Sequence, residues 1–268
     1  MARVSFTPDL GQQYEQLFNS CAVPPERAAT VDQLADRVLV GEARYQSVGS
    51  ALGIPWFFIG AVHNMESDCR FDRHLHNGDP LTARTVQVPA GRPPTGSPPF
   101  AWEESALDAL TLRELSGTLD WSLSGTLFQL EGYNGWGYRL YHTHVLSPYL
   151  WGFSNHYTSG KYVADGTWSD TAVSQQCGGA VILRRLAERG QIQFPDQPAP
   201  AGNAPPLVAP FSDAAPTDPA ALAQATALQQ WLNTFPGVFV KVDGAPGEKT
   251  SDAYRQVTGS YLPGDPRA

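Results

Sequence analysis

The segment GIPWFFIGAVHNMES, residues 53–67, constrains the fold of this chain more than any other. Pro55 suits the first turn of a helix, and Trp56, Phe57, Phe58, Ile59, Ala61, Val62 and Met65 then fall on nearly every face of that helix. A helix that is apolar all round has to be enclosed by other elements. Suitable elements precede it: Leu10, Tyr14, Leu17 and Phe18 recur at helical spacing in DLGQQYEQLFNSC, and Val31, Leu34, Val38 and Leu39 do so after Pro24. Helical patterns return in WEESALDALTLREL, SLSGTLFQLEGYN, SPYLWGFSNHYTSGKY and DTAVSQQCGGAVILRRLAERG. Between them, HNGDPLTARTVQVPAGRPPTGSPPF is dense in turn formers around a β-prone run from Thr82 to Val88, which predicts a small hairpin or an irregular excursion. The expectation is a mainly α body with a minor β element over residues 1–190.

From residue 191 to 220 proline and alanine dominate and charge nearly vanishes, the composition of a semi-extended linker. Residues 221–268 carry their own helix, turn and helix pattern, so a small second module is expected there. A formal net charge of −8 argues against a phosphate-tracking surface, so no nucleic-acid partner is expected. No run reaches the roughly 20 apolar residues of a membrane span, and the start of the chain lacks a basic region followed by an apolar one. The reading is therefore a soluble monomer without membrane insertion and without an export signal of the common kind. Cys21, Cys69 and Cys177 are odd in number and lack CxxC spacing, which leaves room for one bridge at most and for no zinc knuckle.

Glu66 follows Val62 by four residues and Ile59 by seven, and so continues an apolar face. Burial and the negative end of the helix dipole both favour its neutral form. An acid still protonated near neutral pH is what glycosidic-bond cleavage requires, because the leaving oxygen must receive a proton. The alternative is a helix-end carboxylate paired with Arg70 or Arg73. A rival chemistry is zinc held by the pairs His74 with His76 and His142 with His144, completed by His63 or His156. No HExxH, GxSxG, Walker loop or GxGxxG occurs, and no cofactor or metal is assigned. Trp102, Trp136, Tyr138, Trp151 and Tyr157 offer flat surfaces for sugar rings or, alternatively, core packing.

ALGIPWFFIGAVHNMESDCRFD resembles the signature of soluble lytic transglycosylases and goose-type lysozymes at Gly53, Ile54, Pro55, Ile59, Ala61, Glu66, Ser67 and Phe71. Tyr133, Asn134 and Gly135 in TLFQLEGYNGWGYR are similar to the YN.G element of that superfamily, and Tyr149 with its aromatic surroundings to a later segment whose tyrosine faces the glutamate. The resemblance implies a lysozyme-like helical domain with a small β hairpin. It implies that Glu66 is the general acid and that Ser67, Tyr133, Asn134 and Tyr149 border the sugar; Trp136 and Tyr138 are the candidates for stacking on it, and His76 and Asn77 either hydrogen-bond it or hold the hairpin in shape. In lysozyme-like folds a hairpin after the acid's helix often delivers a second carboxylate, and Asp79, 13 positions on in NGDP, is the candidate. Glu103 and Glu104 read instead as first-turn helix charges, with Asp108 further along the same helix.

The tail LQQWLNTFPGVFVKVDGAPGEKTSDAYRQVTG resembles the peptidoglycan-binding module of bacterial wall enzymes at Leu228, Gln229, Leu232, Val242, Asp243, Gly244, Gly247, Thr250 and Ala253. It departs from that pattern at Pro246, Val257 and Thr258. Together the resemblances imply a muramidase acting on the bond between N-acetylmuramic acid and N-acetylglucosamine in peptidoglycan. A lytic transglycosylase, a chitinase or chitosanase, and a non-catalytic wall-binding or virion structural protein are the alternatives. Such a protein works at the bacterial cell wall or in the periplasm, released by a phage or delivered by a secretion machine.

Overall fold

The structure, a computed structural model, describes residues 4–117, 119–164, 166–195 and 207–268. Each amphipathic segment before Gly53 is helical: α1 (Pro8–Asn19), α2 (Pro25–Val40) and α3 (Glu42–Leu52) lead into the apolar α4 (Trp56–Ser67). Proline opens α1 and α2, where a missing N–H costs nothing, and the Thr7 hydroxyl accepts the Leu10 amide to cap α1. Every residue of α4 from Phe57 to Met65 is buried, against α2, α3, α6 (Leu123–Asn134) and α9 (Gly179–Glu188). Gly60 allows the close approach, since a Cβ there would stand 2.6 Å from Val38 Cγ1 and 3.1 Å from the Tyr45 ring. Phe58, Ile59 and Val62 are fully buried, each contributing roughly 1.5–3 kcal/mol of transfer free energy.

The other elements of the body are α5 (Trp102–Leu112), the short α7 (Gly137–Tyr141) and α8 (Pro148–Trp151), and a two-stranded antiparallel hairpin of β1 (Lys161–Ala164) and β2 (Thr167–Ser169). The protein is mainly α with one small hairpin among the described residues, as expected. The hairpin is not where the β-prone run lies. Residues 82–88 form the irregular excursion: Val86 and Val88 are 79% and 90% exposed, so no apolar face holds them in register. The Val86 and Gln87 amides are taken by the Asp79 carboxylate, and β pairing there is limited to an isolated bridge between Arg73 and Pro80. SPYLWGFSNHYTSGKY is helical only over α8, and Phe153, in the left-handed region at φ 70°, follows that helix before the chain extends into β1. β1 and β2 are held by a ring pair as well as by their ladder, Tyr162 packing edge-on to Trp168 at 5.2 Å.

The tail folds as α10 (Pro219–Leu232) and α11 (Glu248–Thr258) round a second core of Leu228, Leu232, Val238, Val240, Tyr254 and Leu262. Residues 196–206 of the expected linker lie outside the described residues, while its two ends belong to the cores: Phe194 packs on Phe18 and Phe57, and Ala209 is buried in the tail. The module docks on the body. Arg184 of α9, 1% exposed, donates to the carbonyls of Phe18 (3.1 Å) and Val240 (3.0 Å) and pairs with Glu188 (3.0 Å). Its guanidinium also faces the rings of Phe18 and Phe239. No described helix is long and apolar enough to cross a membrane.

Candidate active site

The last turn of α4 is locked before it presents Glu66. Trp102 Nε1 donates to His63 Nε2 (3.1 Å), the Tyr45 hydroxyl meets His63 Nδ1 (2.9 Å), and burial pushes the His63 imidazole down to about 4, so it stays neutral. Asp68 and Cys69 both take left-handed backbone, and their amides return to the carbonyls of Asn64 and His63. Beyond that turn, Gly78 approaches so closely that a Cβ on it would stand 2.9 Å from the Glu66 carbonyl oxygen, at a φ of 77° that glycine tolerates.

Glu66 is partly buried, and its Oε1 accepts the Tyr149 hydroxyl at 2.9 Å. Burial raises the Glu66 carboxyl from 4.5 to about 7, the Tyr149 hydrogen bond and the Arg113 charge pulling the other way without cancelling it. The ion pairs with Arg70 and Arg73 are not formed: Arg70 holds Asp72 (2.9 Å), and Arg73 donates to the Gly78 carbonyl (3.3 Å). A carboxyl half-protonated near neutral pH is equipped to give a proton and take one back.

Two adjoining grooves are lined by residues that reach this carboxyl: Tyr149, its hydrogen-bond partner, in one, and Arg113 and Tyr133, whose charge and ring are coupled to it, in the other. Tyr149 lines one of about 300 Å³ with Asn134, Tyr138, Lys161, Tyr162 and Gln176. On the other side Arg113 and Tyr133, whose phenol is pushed up by burial and by the Glu66 charge, line one of about 780 Å³ with Phe128, Trp136 and Tyr141. The grooves share Gly135 and Gly137 at the junction of α6 and α7. The Arg113 guanidinium stands 4.9 Å over the Tyr133 ring, and the Tyr133 hydroxyl donates to the Leu75 carbonyl (3.3 Å). Trp136 lies against Phe128 at 4.8 Å between centroids, partly exposed. Tyr149 and Tyr133 are thus brought to Glu66, while Asn134, Tyr138 and Trp136 line the two adjoining grooves.

Four other expected site residues are engaged elsewhere. Asp79 Oδ2 accepts the amides of Val86 (2.8 Å) and Gln87 (3.0 Å). Burial alone would raise that carboxyl, but the Gln87 and Val86 amides outweigh it and hold it below the usual carboxylate range. Its Oδ2 is thus spent on folding the excursion. Asn77 closes the same turn, accepting the Asp79 amide (3.0 Å) and donating to the Gln87 carbonyl (3.1 Å). His76 is buried and pairs with Asp108 (2.8 Å), which in turn holds Arg92. The Ser67 hydroxyl donates back to the His63 carbonyl at 3.4 Å.

The zinc alternative fails on geometry. His74 is tied to Ser105 (2.8 Å) and to the Ala83 carbonyl (2.8 Å), and His142 stacks on Trp168 at 3.5 Å. His156 bonds the Leu17 carbonyl, and among the described residues no three His, Cys, Asp or Glu side chains converge as a metal site. Ser105, His76 and Asp108 sit in hydrogen-bond sequence, yet Ser105 is fully buried, so the set clips the excursion to α5. Glu103 pairs with Arg44 (2.6 Å) and Glu104 accepts the Ala101 amide (2.9 Å), both first-turn roles as expected. Trp102 and Trp151 are core, and the three cysteines are free and buried.

Arg113, Lys161, Ser174 and Gln176 are site residues without a sequence signal. Gln176 donates to the Met65 carbonyl at 2.6 Å across 111 residues of chain, a partnership no local pattern announces. Comparison with family models, with curated proteins and with solved structures gives no match for this chain.

Proposed function

We propose that this chain cleaves the glycan strand of peptidoglycan at the β-1,4 bond between N-acetylmuramic acid and N-acetylglucosamine, with Glu66 as the general acid. The observation that carries the reading is a carboxyl raised to about 7 and hydrogen-bonded to Tyr149, a residue lining a groove that adjoins a second, larger one at Gly135 and Gly137. Protonated Glu66 gives its proton to the glycosidic oxygen as the C–O bond breaks and the sugar ring becomes cationic. The anion left on Glu66 is met by the Tyr149 hydroxyl and the Arg113 charge, and then removes a proton from the incoming nucleophile.

That nucleophile is water in a muramidase and the substrate's own 6-hydroxyl in a lytic transglycosylase. The commitment of Asp79 to the Val86 and Gln87 amides favours the second route, which needs one glutamate and no partner carboxylate. Mass spectrometry of products from purified peptidoglycan tests both readings. Reducing muramic acid ends indicate the hydrolase and 1,6-anhydro ends the transglycosylase. Glu66→Gln should abolish either while binding to sacculi survives, and retained cleavage in that variant refutes the assignment. Cleavage of chitin in preference to peptidoglycan would move the substrate class, and sacculus binding unaccompanied by any product would favour a non-catalytic wall protein.

A further inference from the structure

The groove that Tyr149 lines does not end at Lys161, Ser174 and Gln176. These three residues also border a further cleft of about 610 Å³, into which Arg27 and Phe153 are set from α2 and from the turn after α8. Arg27 is placed there by its neighbour: its guanidinium stands 4.3 Å over the Phe153 ring, and Phe153 adopts left-handed backbone at φ 70°. A bulky residue in that region costs of order 1–3 kcal/mol and persists only where its surroundings demand it. Lys161 enters from β1, half-buried, and among the described residues neither cation is paired with a carboxylate. Asp68, exposed at the end of α4, is the acidic residue on the wall, and Thr30, Asn64, Gln175 and Gln176 add to its polar lining. A chain of net charge −8 therefore gathers two unpaired cations at one end of its groove, whereas Trp136, Phe128 and Tyr141 line the other end.

We propose that the cleft of Arg27 and Lys161 binds a carboxylate carried as a branch on the glycan, so that the enzyme selects strands bearing acidic side groups over neutral polysaccharide. The inference rests on the glycan-cleaving reading for its substrate class, but its physical content is charge recognition next to the acid. Two half-buried cations lining one cleft are screened less by solvent than fully exposed lysines are, and they discriminate by sign. The acidic lactyl-peptide branch of muramic acid is the group of that chemistry that peptidoglycan offers and chitin lacks.

The test measures binding to the full-length Glu66→Gln chain, which removes turnover. The probes are a soluble disaccharide-peptide with free carboxylates and the same compound with those carboxylates converted to primary amides. Tighter binding of the free acid is expected, and in the double variant Arg27→Met, Lys161→Met its Kd should rise about tenfold while that of the amide is unchanged. Asp68→Asn, a substitution that the left-handed backbone at 68 tolerates, should move the free acid's Kd the opposite way, about threefold tighter. Equal effects on both compounds, no effect on either, or no binding of either compound overturns the proposal. Wild-type turnover of sacculi is followed in parallel. Cleavage without charge-dependent binding sinks the cleft and leaves Glu66 chemistry standing, and charge-dependent binding without cleavage does the reverse.

Discussion

A carboxyl raised by burial has to weaken the fold as it ionises, and Glu66→Gln isolates that effect. In the unfolded chain Glu66 titrates near 4.5, and in the folded protein at about 7. Between those values the native state holds a proton that the unfolded state has released, so stability falls as pH rises through the window. It is fully present below about 4.5 and lost above about 7. The displacement corresponds to about 3 kcal/mol at roughly 1.4 kcal/mol per pH unit. Glutamine keeps the shape and an oxygen acceptor for the Tyr149 hydroxyl but cannot ionise. The variant should match the wild type in urea unfolding at pH 4 and exceed it by about 3 kcal/mol at pH 8.5, a Tm difference of roughly 6–10 °C for a body of this size. Tryptophan fluorescence suits the measurement, because six of the seven tryptophans lie in the body and only Trp231 in the tail. Taking the difference from wild type cancels every other titrating group. An offset that is the same at both pH values, or a variant less stable at pH 8.5, would show that burial does not hold the proton on Glu66, and the general-acid argument would lose its physical basis.

Removing the hydrogen bond that lowers the Glu66 carboxyl should shift the alkaline limb of the pH-rate profile upward, so Tyr149→Phe is expected to keep activity to higher pH while kcat falls roughly tenfold from lost positioning. A downward shift of that limb contradicts the assigned direction. Asp79→Asn should cost about 1–3 kcal/mol by weakening the clasp on Val86 and Gln87, and leave kcat within a few-fold; a fall to the level of Glu66→Gln would restore Asp79 to the chemistry. Arg184→Met removes one donor each from Glu188 and the Phe18 and Val240 carbonyls, which keep Arg185, Cys21 and Asn233 as partners, an expected loss of about 1–3 kcal/mol. Hydrogen exchange at residues 238–240 should then rise ahead of exchange in α4, and unchanged exchange there would mean that Arg184 does not hold the module.

What was legible in the sequence follows the distance over which each interaction is decided. The enclosure of α4 and the placing of Glu66 on its apolar side are properties of a dozen consecutive residues, and periodicity alone reveals them. Asp79 is harder for a physical reason. NGDP forms the same turn whether its carboxylate faces a cleft or its own backbone, and the outcome was settled by amides seven and eight positions later, in a valine-rich run that composition made β-prone. The hairpin itself was invisible because its strands are four and three residues long and are pinned by Trp168 stacking on His142 and packing on Tyr162, contacts between segments that no alternation records. Tyr149 meets Glu66 across 83 residues, and it surfaced only through the resemblance of its aromatic segment. Arg113, Lys161 and Gln176 had no such guide: a cation at a helix end, a cation on a short strand and an amide in an irregular stretch are what any surface carries. Their role comes from lining two adjoining grooves, Arg113 the larger one and Lys161 and Gln176 the one that Tyr149 lines. For that reason the charge-reading cleft is the sharpest test of the site, since swapping carboxylate for amide on a ligand probes a juxtaposition that the fold alone creates.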